Sequence, residues 1–138
     1  SFLTPSEIFQ PWYGYTLANH MIKESEGRNK IKIIEIGPGT GTTALSILQY
    51  LEKNQRQAYD TIDYTAVEIS PVLATTCALR FRTTHKNLTS NHQLKVVNKS
   101  FLDWETPVLD ECFVLALEVL DNLPHDVIYR GDSGNWED

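Results

Sequence analysis

An apolar run at residues 31–36 stops abruptly at Gly37-Pro38-Gly39-Thr40-Gly41, and this junction constrains the fold more than any other stretch of the chain. An Ile-rich run bounded by glycine reads as a strand buried on both faces, as in parallel sheets. Glycines at alternate positions let the backbone turn sharply and pass close to a ligand. Residues 42–53 then carry Leu45, Leu48 and Leu51 toward a sheet, so a helix follows whose first N–H groups face the same ligand. Strand, glycine turn and helix together read as the nucleotide-cofactor loop of a doubly wound α/β sheet.

The remaining periodicities agree. Residues 64–69, 94–98 and 113–118 read as three more strands, the last so apolar that it suits a central position. Ser70-Pro71 opens a helix in which Leu73, Cys77 and Phe81 recur at helical spacing. Residues 2–26 read as a loop and then a helix, with Thr4 or Ser6 as cap, Pro5 in the first turn, and Ile8, Trp12, Tyr15 and Met21 on its apolar face. Residues 54–63 and 85–92 read as polar connections, and residues 127–129 with 131–134 as an extra strand and turn. Strands alternating with helices predict a parallel, right-handed sheet in one domain. A net charge of −6 with scattered bases argues against a nucleic-acid surface. No apolar stretch approaches the roughly 20 residues of a membrane span. Two cysteines and four histidines without metal-like spacing predict neither a disulfide framework nor a metal site, and the histidines read as surface or loop residues.

Ligands of such sheets bind beyond the carboxyl ends of the strands, where this sequence places polar residues four times. The glycine spacing is G-x-G-x-G, one residue short of the dinucleotide form, and with Glu35 in front it suits S-adenosylmethionine. Glu68 can accept from two ribose hydroxyls, a placement that would also serve NAD or a plain helix cap. Asp103, after Ser100-Phe101-Leu102, can take an adenine amino proton or belong to an ordinary loop. Glu118, Asp121 and Asn122 surround the end of the fourth strand, where a methyl acceptor would approach; a helix cap by Asp121 is the competing reading. Glu118 follows five apolar residues, where packing gives a charge no purpose. Trp12-Tyr13-Gly14-Tyr15 reads as core.

Taken together, Phe2-Leu3-Thr4-Pro5-Ser6-Glu7-Ile8-Phe9-Gln10-Pro11-Trp12-Tyr13-Gly14, the glycine loop, Val67-Glu68-Ile69-Ser70-Pro71 and Leu117-Glu118-Val119-Leu120-Asp121-Asn122-Leu123-Pro124 resemble the MidA family. That family includes a mitochondrial protein arginine methyltransferase that assists assembly of respiratory complex I. The resemblance implies a Rossmann-like class I methyltransferase sheet of seven strands, of which this chain supplies the first part, about four parallel strands with flanking helices. Residues 1–138 would form one S-adenosyl-L-methionine-binding domain, incomplete at its C-terminus: a lid and helix over 1–30, the core over 31–126, and a further strand or tail over 127–138. By position, Glu35, Gly37 and Gly39, with Gly41 completing the loop, would hold the methionine end of S-adenosyl-L-methionine. Glu68 would hold the ribose, Leu102 and Asp103 the adenine, and the opening segment with Thr4, Pro5 and Glu7 would fold over as a lid. The implied substrate is a protein, such as a complex I subunit, and the implied location mitochondrial. The family pattern is departed from at Ser1, where Gly-Asp is usual before the opening Phe, and at Leu117, where Asn or His is usual.

The implied reaction is in-line transfer of the sulfonium methyl to a guanidinium nitrogen, with Glu118 and Asp121 as catalytic carboxylates clamping the guanidinium. A small-molecule methyltransferase and a non-catalytic assembly module of the same fold are the rival readings.

Overall fold

The computed structural model describes residues 4–25, 30–105, 107–123, 129–130 and 136–137. Four parallel strands, β1 (Lys32–Ile36), β2 (Asp63–Glu68), β3 (Leu94–Asn98) and β4 (Phe113–Ala116), lie in the order β3-β2-β1-β4. The chain steps outward from β1 to β2 to β3, then returns to place β4 on the other side of β1. The strand order therefore reverses at β1, and the crevice beyond β1 and β4 is where a doubly wound sheet accepts ligands.

Tyr64 pairs in register with Ile33 on one side and Leu94 on the other, so their side chains share a face of the sheet. Onto that face pack Ala18 and Met21 of α2 (Trp12–Glu24), Ile47, Leu48 and Leu51 of α3 (Thr42–Asn54), and Cys77 and Phe81 of α5 (Pro71–Thr84). Ser70 caps α5 by accepting from the Leu73 N–H at 3.4 Å, and Pro71 sits where a helix lacks a partner for an N–H anyway.

The single amino-terminal helix read from the sequence is two. Helix α1 (Pro5–Ile8) ends before Pro11, which lacks the N–H a continuing helix requires, and α2 starts after a cis Gln10–Pro11 bond. Its apolar face is also different: Ile8 and Trp12 are 57% and 71% exposed, while Gly14, Ala18 and Met21 are buried. Gly14 decides this, because a Cβ there would collide with the Cβ of Ser46 and stand 3.1 Å from the Thr43 carbonyl oxygen; only glycine lets α2 approach α3 so closely.

The two polar connections are partly helical. Helix α4 (Arg56–Thr61) precedes β2, and α6 (Lys86–Ser90) precedes β3. Between them His85 is buried, not at the surface, with the Tyr59 hydroxyl 2.8 Å from its Nδ1, and burial lowers its pKa. Strand β2 starts and ends one residue earlier than its pattern suggests. Strand β4 stops at Ala116 and borders the described sheet beside β1, with Val114 half exposed. Near the end of the chain, β5 (Tyr129–Arg130) pairs antiparallel with β6 (Trp136–Glu137). The strand expected over 127–129 falls mostly, and the turn at 131–134 wholly, outside the described residues, as do Ser1, Phe2, Leu3, Pro124 and His125.

Candidate cofactor site

Gly37, Gly39 and Gly41 all adopt left-handed backbone, at φ of 66°, 58° and 84°, so the loop folds back on itself within five residues of β1. Its N–H groups are tied down. Gly37 donates to the Val67 carbonyl at 2.9 Å, and Gly41 to the Pro38 carbonyl at 2.9 Å. Glu68, at the end of β2, accepts from the Gly39 N–H at 3.0 Å with one oxygen and from the Ser70 N–H at 2.8 Å with the other. It is buried behind the loop, anchoring it to the start of α5, and a carboxylate retains lone pairs beyond these two bonds. From the opposite side, Arg80 Nη1 donates to the Thr40 carbonyl at 2.8 Å, the Thr40 hydroxyl at 3.0 Å and the Thr42 hydroxyl at 3.2 Å.

Glu35, one residue before the end of β1, is 3% exposed, and its Oε2 accepts from the Tyr64 hydroxyl at 2.9 Å. Burial raises its pKa to about 7; the Tyr64 hydrogen bond lowers it, and Glu68 nearby adds to the rise. The carboxyl therefore sits at the balance point between neutral and ionised near physiological pH.

Two cavities meet at Gly37. The first, about 240 Å³, is polar: Thr4, Glu7, Glu35, Gly39, Thr40, Glu118 and Asn122 are among its walls. The second, about 180 Å³, is apolar and runs between the ends of β1, β2 and β4 toward Phe101 and Leu102. Three carboxylates face the first cavity, and among the described residues no Lys or Arg lines it. A Cβ built on Gly39 would meet no atom within 4 Å, so that stretch of main chain is open to an incoming group. A polar, anionic chamber joined to an apolar slot suits a long ligand with a cationic end and a flat apolar end.

The polar cavity brings together Thr4, Glu35, Gly37, Gly39 and Glu118 of the residues singled out in the sequence. Thr4 caps α1, exchanging hydrogen bonds with Glu7; Pro5 opens that helix and is exposed. Gly41 lies behind the loop against Cys77 and Phe81. Leu102 lines the apolar cavity, whereas Asp103 is exposed on the turn Phe101–Asp103 and lines neither. Asp121 is likewise exposed, on the turn Leu120–Asn122, and faces neither cavity. Glu118 adopts left-handed backbone at φ of 54°, and its carbonyl accepts from Asn122 Nδ2 at 2.9 Å, which fixes the corner after β4. Sequence reasoning missed Arg80 and Tyr64. Tyr64 is one strand away from Glu35 and aligned with it only through the sheet register, and Arg80 reads as one more polar residue of a helix.

Residues 15–138 match the family described as "Putative S-adenosyl-L-methionine-dependent methyltransferase". A Schizosaccharomyces pombe protein named as a mitochondrial protein arginine methyltransferase NDUFAF7 homolog is 30% identical over 75% of this chain and 22% of its own length. The Drosophila melanogaster protein of the same name is 29% identical over 96% of this chain and 32% of its own. The chain thus spans between about a fifth and a third of the length of these curated relatives. Among solved structures, a Burkholderia thailandensis protein with S-adenosyl-homocysteine bound superposes with a TM-score of 0.67 at 21% identity, covering 99% of this chain and 35% of that one. A Listeria monocytogenes structure described as a "putative class I S-adenosylmethionine-dependent methyltransferase" gives a TM-score of 0.59 at 11% identity, over 84% of this chain and 33% of that one. The glycine loop at the reversal of strand order, the anionic cavity beside it and these matches agree: the chain belongs to the MidA family of S-adenosyl-L-methionine-dependent methyltransferases, with a Rossmann-like α/β fold.

Proposed function

We propose that this chain is the cofactor-binding part of an enzyme that methylates arginine on a protein substrate. The observation that carries the reading is the charge of the polar cavity, with Glu7, Glu35 and Glu118 in its walls and no cation among the described residues. A dinucleotide pyrophosphate would meet like charge there, whereas an ammonium, a sulfonium or a guanidinium meets opposite charge. When bound, S-adenosyl-L-methionine supplies a methyl group activated by its sulfonium.

Glu35 receives the ammonium of the methionine end, with Gly37 and Gly39 giving main-chain contacts and Gly41 shaping the turn. Glu68 takes the ribose side while it anchors the loop. Leu102 and the apolar cavity take the adenine, with Asp103 as partner of its amino group. Thr4 and Pro5, with α1, cover the polar cavity. Glu118 and Asp121 hold the substrate guanidinium so that one nitrogen points into the cavity. Positioning is the main contribution, because a guanidinium stays protonated far above physiological pH and gives up its proton to solvent only as the new bond forms. Residues 1–138 form one binding unit in this reading: a lid over 1–30, a core over 31–126, and the start of a further strand over 127–138. The mitochondrial names of the two relatives support a mitochondrial setting, and the substrate in this reading is a complex I subunit.

The test uses the full-length protein. Calorimetric titration is expected to show binding of S-adenosyl-L-methionine and S-adenosyl-homocysteine but not NAD. E118Q is expected to slow arginine methylation by about a hundredfold or more while changing cofactor affinity by less than about twofold. Binding of NAD alone would overturn the cofactor assignment, and equal loss of rate and affinity in E118Q would overturn the role of Glu118.

A further inference from the structure

Strand β3 is the outermost strand of the sheet, and among the described residues it pairs only with β2. Alongside it lies a groove of about 430 Å³, bounded by α5 and α6, that shares no residue with either cavity of the cofactor site. Leu94, Lys95 and Val96 all line it, although successive side chains on a strand point to opposite faces. Lys95 turns its side chain away, with Nζ 3.1 Å from Asp63 Oδ1. The Gln93 carbonyl and the Lys99 N–H bond to β2, so by the alternation of a parallel ladder the N–H and C=O groups of Leu94 and Val96 face away from it, and this unpaired edge is the wall of the groove.

The floor is apolar, with Phe81 and Leu94 beneath and Val96 partly exposed. The rim is basic through Arg82 and Lys86, both exposed along it, with His92 exposed beside them. Among the described residues no carboxylate lines the groove, and neither Arg82 nor Lys86 makes an ion pair. This stands out in a chain of net charge −6. Sheet edges are commonly guarded by a charge on the edge strand itself, but the one lysine here is turned to Asp63.

We propose that this groove docks an extended acidic peptide segment of a partner protein, added to the sheet as a strand beside β3. The main-chain groups of β3 bind its backbone, the apolar floor takes alternate side chains, and Arg82 and Lys86 meet its carboxylates. A small anion would use the rim alone and leave the strand edge and floor unmatched, which is why a peptide fits better than phosphate.

The experiment is fluorescence anisotropy on the full-length protein with a labelled heptapeptide of alternating Glu and Val. Saturable binding is expected, weakening as salt rises and at least about tenfold weaker for a peptide in which Lys replaces Glu. A peptide of equal charge with two central residues replaced by Pro is expected to lose about tenfold, since its missing N–H groups cannot pair with the edge. The double variant R82E/K86E is expected to lose the acidic peptide while keeping its circular dichroism spectrum and its affinity for S-adenosyl-L-methionine. Absence of saturable binding, as when another segment of the full-length protein covers the edge, overturns the proposal. So does equal binding of the Pro peptide, which would mean charge attraction only, or an unchanged affinity in R82E/K86E.

Discussion

Replacing Glu35 by Gln separates two effects that one buried carboxyl combines. Its pKa is raised from 4.5 to about 7, chiefly by burial, a difference worth roughly 3 kcal/mol between the two protonation states. The folded protein holds this proton more tightly than the unfolded chain does. The contribution of Glu35 to the stability of the cofactor-free protein is therefore greatest below pH 4.5, declines as pH rises through the window from 4.5 to about 7, and is lower by roughly 3 kcal/mol beyond it. Gln stays neutral and can still accept the Tyr64 hydroxyl, so cofactor-free E35Q is expected to match the wild type at pH 4.5 and to melt several degrees higher at pH 8. Affinity runs the other way. If only the ionised carboxyl receives the cofactor's ammonium, the competent fraction rises from about a tenth at pH 6 to about nine tenths at pH 8, and the wild-type association constant rises about tenfold. E35Q is expected to lose that slope and to bind about tenfold more weakly at pH 8. Thermal melts and calorimetric titrations at pH 6, 7 and 8 read both. A variant that melts below the wild type at pH 8, or a wild-type affinity that is flat with pH, would refute the reasoning.

The two later glycines of the loop are expected to fail differently. In G39A the methyl group meets no atom, so melting reports only the strain of left-handed backbone, on the order of 1–2 kcal/mol, while cofactor affinity falls at least about tenfold because the methyl occupies the cavity. In G41A the methyl lands 2.8 Å from Cys77 Sγ and 3.0 Å from a Phe81 ring carbon, so melting is expected to fall further than in G39A. R80A removes three hydrogen bonds from the loop end and is expected to cost about 1.5–3 kcal/mol and to weaken cofactor binding, with R80K recovering part of the affinity in titration.

The glycine loop, the four strands and the helices α3 and α5 were legible because each is written in local sequence pattern. The short helices α4 and α6 were not: one or two turns leave too few residues to set a period. Within the site, Glu35, Gly37, Gly39 and Glu118 could be named because loop chemistry and a charge after an apolar run are visible in one dimension. The Tyr64 hydroxyl on Glu35 and the grip of Arg80 on Thr40 join residues 29 and 40 positions apart and depend on sheet register and helix phase. The turn after β4, held by Asn122 Nδ2 on the Glu118 carbonyl, brings Asn122 into the polar cavity and leaves Asp121 outside it.

The close seating of α2 on α3 at Gly14 has an evolutionary consequence. On that side of the site, the helix that starts at the glycine loop is held against its neighbour through main chain and the first side-chain atom of Ser46. No rotamer change can absorb a larger residue there. On the other side, Glu118 and Asn122 present side chains to the cavity from exposed positions. One wall of the cavity is thus sterically frozen while the other can change its chemistry residue by residue. A lineage built on this scaffold can change the residues of that wall without disturbing the seat of the glycine loop.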